Sequence, residues 1–181
     1  MLTKEVVDTL VKYDLLLVIS LNGNKLEHDK YRIFSNGNGT HDIIMRNLSY
    51  IYMHYPDFYQ HNISFSTTYD TSTNLIKLSE YFDDPNATLT NKPITISKIS
   101  SEFTDWYSQF SNEENVLFLK HFEKIRSEFI AALKNQENLT NFQKALFLKP
   151  LKMVLNRYIG EKTSVIPFTS PCIPGMKIAV D

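Results

Sequence analysis

The run Leu15-Leu-Leu-Val-Ile19 sets five apolar residues side by side between polar neighbours. Too short for a helix and lacking the alternation of a half-exposed strand, it reads as a strand over residues 14–21, covered on both faces as in a parallel sheet. A parallel neighbour needs a crossover, and the sequence offers two. Thr40 is placed to cap a helix lined by Ile44, Leu48, Ile51, Tyr52 and Tyr55, ending near Pro56. Residues 62–69 alternate and are rich in β-formers, which makes a second strand. Thr73 then caps an expected helix carrying Leu75, Ile76, Leu78 and Phe82, and residues 93–99 form a third strand. A short helix over residues 3–12, capped at Thr3, precedes them. This alternation predicts an α/β fold with a parallel sheet and right-handed crossovers, in an open sheet or in part of a barrel.

After residue 100 the pattern becomes helical. Ser111-Asn-Glu-Glu opens a long helix, its acidic first turn matched to the helix dipole, with Leu117, Phe118, Phe122, Ile125, Phe129, Ile130 and Leu133 expected inward. Thr140 to Ile159 reads as another helix, interrupted or restarted at Pro150 and stopped by Gly160. The stretch from Pro167 to Gly175 is irregular, and residues 176–181 begin to alternate like a strand.

A length of 181 residues with 43% hydrophobic content suits one domain with a real core. The net charge of −1 lacks the signature of a nucleic-acid binder, so no nucleic-acid partner is expected. Without an apolar stretch near the roughly 18 residues of a membrane span, or an apolar leader, no membrane partner is expected and the location is read as cytoplasmic. One cysteine, Cys172, closes no internal disulfide, and it completes neither an iron–sulfur cluster nor a cysteine-rich zinc site.

Chemistry concentrates between Ile19 and Thr40, where three of the five glycines fall. Ser20 stands at the strand tip, Asn22-Gly23 makes a turn, His28-Asp29 and Arg32 follow, and Gly37-Asn-Gly-Thr40 leads into a helix N-terminus. Ligands of α/β proteins bind at this end of the strands. A guanidinium beside helix N–H groups and a hydroxyl suits a carboxylate or phosphate, since each donates to an anion. The same residues also serve as ordinary turn-makers. No phosphate-loop or dinucleotide fingerprint is present.

Ser20-Leu-Asn-Gly23, then His28-Asp29 and Arg32, resembles the fourth-strand segment of the radical S-adenosylmethionine (radical SAM/SPASM) peptide maturases. Anaerobic sulfatase-maturating enzymes, also called arylsulfatase regulators, belong to that group. Ser170-Pro-Cys-Ile-Pro-Gly175 is similar to the opening of the family's auxiliary-cluster domain, about 150 residues downstream. Gly37-Asn-Gly-Thr40 and Asn47 fit the family's next helix. Asn22 and Asn24 depart from the pattern, which has Asp and Pro there.

The resemblance implies that residues 1–105 are strands 4 to 6 of a partial (βα)6 TIM-like barrel, that 106–165 are a helical linker, and that 166–181 are the truncated start of a SPASM-type domain. Ser20 and Arg32 would bind the amino-acid end of S-adenosylmethionine, and Cys172 would ligate an auxiliary [4Fe–4S] cluster in the parent enzyme. Asn22, Gly23, His28 and Asp29 would support the loop. The parent would modify a peptide or protein, with a sulfatase among the candidate substrates, through a 5′-deoxyadenosyl radical. That chemistry requires a CxxxCxxC segment, which a chain with one cysteine lacks. The fragment alone is therefore expected to be inactive and to bind neither cluster nor cofactor, and its edge strand near residues 14–21 is expected to dimerise or exchange strands. The competing reading is a cluster-free binding or interaction module derived from the same barrel.

Elsewhere, plainer readings are preferred. Phe103, Trp106, Tyr107 and Phe110 are spaced as core, though an aromatic platform for a peptide has the same composition. His54, His61 and His121 show no metal-ligand spacing. Glu102 and Asp105 follow the third strand, where a substrate-positioning role is open to them.

Overall fold

Three parallel strands, β1 (Leu17–Ser20), β2 (Ile63–Tyr69) and β3 (Ile94–Lys98), lie side by side in chain order. The register pairs Ile19 with Phe65 and Phe65 with Ile94. The computed structural model describes residues 3–85, 89, 91–102 and 104–156. Cys172, the SPASM-like segment, Gly160 and the expected helix end at Ile159 lie outside the described residues.

Helix α1 (Lys4–Lys12) begins where its sequence says, with the Thr3 hydroxyl accepting from the Val6 N–H. After β1 come α2 (Lys25–His28), α3 (His41–His54) and α4 (Pro56–Asn62). Pro56 ends one helix and starts the next, because a proline lacking its N–H is tolerated in a first turn. Helix α5 (Leu75–Asp83) is capped by Asn74, not Thr73. The Asn74 side-chain Oδ1 accepts from the Lys77 N–H, while Thr73 is held by Asp70.

Only one face of the sheet is packed. Ile63, Phe65, Thr67 and Ile94 are buried, and they meet Leu48 and Ile51 of α3, Phe58 and Tyr59 of α4, and Leu75, Leu78 and Phe82 of α5. Each fully apolar side chain among them contributes about 1.5–3 kcal/mol by leaving water. The opposite face carries Val18, Ser20, Ser64, Ser66, Thr68, Thr95 and Ser97, which are exposed or half-buried. The expectation that β1 is covered on both faces is thus corrected. Leu17 and Ile19 turn inward while Leu16 (78%) and Val18 (62%) remain exposed. An unbroken apolar run cannot reveal this, since hydrophobicity reports burial only where a covering layer exists.

Helix α6 (Asn112–Lys134) starts at a capping box, in which Ser111 Oγ accepts from the Glu114 N–H and the Glu114 carboxylate accepts from the Ser111 N–H. Ser111→Ala is expected to cost about 1 kcal/mol, read as a lowered thermal midpoint. Phe118, Phe122, Ile125 and Phe129 face inward as expected, but Leu117, Ile130 and Leu133 are exposed. An aromatic ladder runs from Tyr69 through Phe118 and Phe122 to Phe147 and Phe129. It ties the end of β2 to the helical half, whose Ile125, Phe142 and Ala145 join the same core.

Helix α7 (Asn141–Gln143) continues through a π turn (Lys144–Leu148) into α8 (Lys149–Leu155). The regular α-helix thus restarts beside Pro150, as expected: the π turn is closed by the Lys149 N–H on the Lys144 carbonyl, and Pro150 falls in the first turn of α8, where its missing N–H is tolerated. Lys149 Nζ donates to the Ile94 carbonyl at 2.6 Å and so caps part of the outer edge of β3. Among the described residues no helix is long and apolar enough to cross a membrane.

Candidate functional site at the strand ends

The loop after β1 is ordered by its own polar groups. Gly23 adopts φ +89°, and a Cβ there would lie 2.9 Å from Leu78 Cδ1, so the turn packs directly on α5. Asn22 bridges β1 to β2: its Oδ1 accepts from the Thr68 N–H at 3.2 Å and its Nδ2 donates to Thr68 Oγ1 at 3.2 Å. An aspartate could keep that second bond only with the Thr68 hydroxyl turned to donate. Asn24 caps α2 by accepting from the Glu27 N–H at 3.2 Å. Both departures from the family pattern therefore have local structural work.

His28 is fully buried. Its Nδ1 accepts from the Asn22 N–H at 3.1 Å, so the ring proton sits on Nε2 and is donated to Thr40 Oγ1 at 2.8 Å. Thr40 in turn donates to the Arg32 carbonyl at 2.9 Å. Burial, reinforced by the neighbouring His41 and Arg32 and opposed by Asp29, lowers the His28 pKa to about 4. Asp29 Oδ1 accepts from the Thr40 and His41 N–H groups, both at 2.9 Å, and so caps α3 from twelve positions upstream. Thr40, expected to cap that helix, makes no side-chain cap bond, because its hydroxyl is committed to His28 and Arg32.

Ser20 lies exposed at the end of β1, and its hydroxyl makes no hydrogen bond among the described residues. Arg32 is half-buried, its Nε is buried without a partner, and burial lowers the guanidinium pKa. No hydrogen bond joins Ser20 to Arg32 among the described residues. Ser20 thus keeps an exposed hydroxyl and Arg32 a buried Nε–H that no group among the described residues accepts. An iron–sulfur cluster does not fit this chain, whose one cysteine is Cys172. Among the described residues no group of three His, Cys, Asp or Glu could hold a metal ion.

Loops after β2 and β3 complete this end of the sheet. Asp70, buried just past β2, accepts from the Ser72 N–H and both the Ser72 and Thr73 hydroxyls. Lys30 and Tyr31 reach across to Ser72. Tyr31 meets Trp106 edge to face at 5.5 Å, and the Tyr107 hydroxyl donates to the Ile99 carbonyl at 2.7 Å. Glu102 and Asp105 stay exposed. Asp70 and Tyr31 were not singled out from sequence. The pattern Asp70-Thr-Ser-Thr-Asn74, a polar run before a helix, was the available signal.

Comparison with models of protein families, with curated proteins and with solved structures finds no match to this chain in any of the three.

Proposed function

We propose that the chain is the second half of the partial barrel of a radical S-adenosylmethionine peptide or sulfatase maturase, cytoplasmic and inactive without the missing half. The observation that supports this reading most is the one-sided sheet. Parallel strands in the order β1-β2-β3, packed against helices on one face and bare on the other, are the arrangement that a segment of such a barrel requires, with its helices outside. The bare face, with its row of serine and threonine hydroxyls, would line the barrel interior. Ser20 and Arg32 would bind the cofactor's carboxylate, and Cys172 would belong to the auxiliary-cluster domain.

The test is the coding sequence upstream. A CxxxCxxC segment is expected roughly 80 to 120 residues before this stretch, given strand–helix units of about 30 residues each. An upstream frame without that segment overturns the reading.

On this reading the free edge of β1 belongs against a preceding strand, and in the isolated chain it pairs with a second copy. Sedimentation velocity is expected to show a concentration-dependent dimer. Val18→Lys, which puts a charge on this exposed edge strand, should return the chain to monomer with its helical circular dichroism unchanged. A wild-type monomer at high concentration overturns it.

A further inference from the structure

Asp70 is 1% exposed, yet its two carboxyl oxygens are treated unequally. Oδ1 takes three donors, the Ser72 N–H at 2.9 Å, the Ser72 hydroxyl at 2.8 Å and the Thr73 hydroxyl at 3.3 Å. Oδ2 is buried and has no partner. The turn before α5 is fully served by the first oxygen, so it does not account for the second.

Asp70 lines a cleft with Asn22, Glu27, Tyr31, Thr68 and Thr73, whose free volume of about 10 Å³ holds one water-sized group. This lining is rich in acceptors and contains no lysine or arginine. The Asn22 amide is already committed to Thr68, and Lys30 points its amine at Ser72. What the cleft lacks is therefore a small donor, and two carboxyl groups favour one that is positively charged. A guanidinium is too large for the space. A divalent metal with its retained waters is likewise too large for the space, and no group of three His, Cys, Asp or Glu gathers here among the described residues. The Tyr31 ring, edge to face with Trp106, already carries the Lys30 amine 5.4 Å from its centroid, so the ligand's acceptors are the carboxylates alone.

We propose that this cleft binds a primary ammonium group, carried by a lysine side chain or by the amino terminus of a peptide, with Asp70 Oδ2 and Glu27 as its acceptors. The site stands on the geometry of the strand ends and not on the barrel reading, so either can fail alone.

Trp106 is the one tryptophan of the chain, which makes its indole N–H signal a site-specific reporter beside Tyr31. Titration with Nα-acetyl-lysine N-methylamide is expected to move that signal saturably, and the Nε-acetylated probe to leave it in place. Glycine N-methylamide distinguishes a chain terminus from a side chain. Asp70→Asn keeps an acceptor for the turn but places an amide at the cleft, and should weaken binding about tenfold or more, the equivalent of one lost charge-assisted contact. Glu27→Gln, on the short half-buried helix α2, should weaken it severalfold and decides the matter if the first variant does not fold. The proposal is overturned if neither ammonium probe moves the signal at tens of millimolar, if the acetylated probe moves it equally, or if the folded variants bind as the wild type does.

Discussion

Acidification from pH 6.5 towards 4 is expected to strip stability from this protein through one buried ring, His28. Both of its nitrogens are committed in the neutral form, Nδ1 accepting from Asn22 and Nε2 donating to Thr40. A second proton would have to be placed on Nδ1, facing an N–H. The folded pKa therefore falls to about 4 from an ordinary 6.5. Because the folded state favours the neutral ring, the stabilisation is full above pH 6.5, declines as pH falls towards about 4, and levels off below it. One proton taken up on unfolding gives a slope of at most about 1.4 kcal/mol per pH unit. Urea midpoints measured between pH 5 and 7.5 should show the decline, and His28→Gln should be less stable at pH 7.5 but markedly flatter with pH. An equal slope in the variant would show that other groups carry the effect.

Gly39→Ala is expected to cost about 3 kcal/mol, from a clash that displaces a charged cap and leaves two backbone donors unmet. A Cβ at this position would stand 2.0 Å from Asp29 Oδ2 and 2.2 Å from its Cγ. Asp29 cannot retreat without releasing the Thr40 and His41 N–H groups at the start of α3. Gly37, two residues earlier, supplies the control. It has φ +83° with nothing within 4 Å of an added Cβ, so Gly37→Ala meets only backbone strain, worth about 1–2 kcal/mol. Thermal unfolding should rank the two variants in that order, and Asp29→Ala should reproduce most of the Gly39 effect. A larger loss at Gly37 would mean that the clash is relieved by motion elsewhere.

These two positions show where the sequence was informative. The strand and helix order was legible because periodicity and capping residues are local signals. Thr3, Ser111 and Thr140 cap the helices they precede. Thr40 does not, because its hydroxyl is committed to His28 and the Arg32 carbonyl, partners too distant along the chain for a local pattern to show. The sidedness of β1 was hidden for a related reason: Leu16 and Val18 are apolar but meet no covering layer. The crowding around Asp29 arises where one loop folds back on itself, and the orphaned oxygen of Asp70 arises in a turn that uses only the other carboxyl oxygen. Ser20 and Arg32 were noticed by motif, and the structure adds that both keep unspent donors.

The π turn ahead of Pro150 can be read as a history. It is what a helix looks like after gaining a single residue, the surplus being stored as one over-wide loop of backbone. Because the surplus is held in that loop, deleting one residue between Lys144 and Leu148 would return a regular spiral and leave the residues downstream on nearly the same face. Lys149 would keep its reach to the Ile94 carbonyl at the outer edge of β3. The wide turn thus takes up the extra residue without changing which side of the last helix meets the sheet.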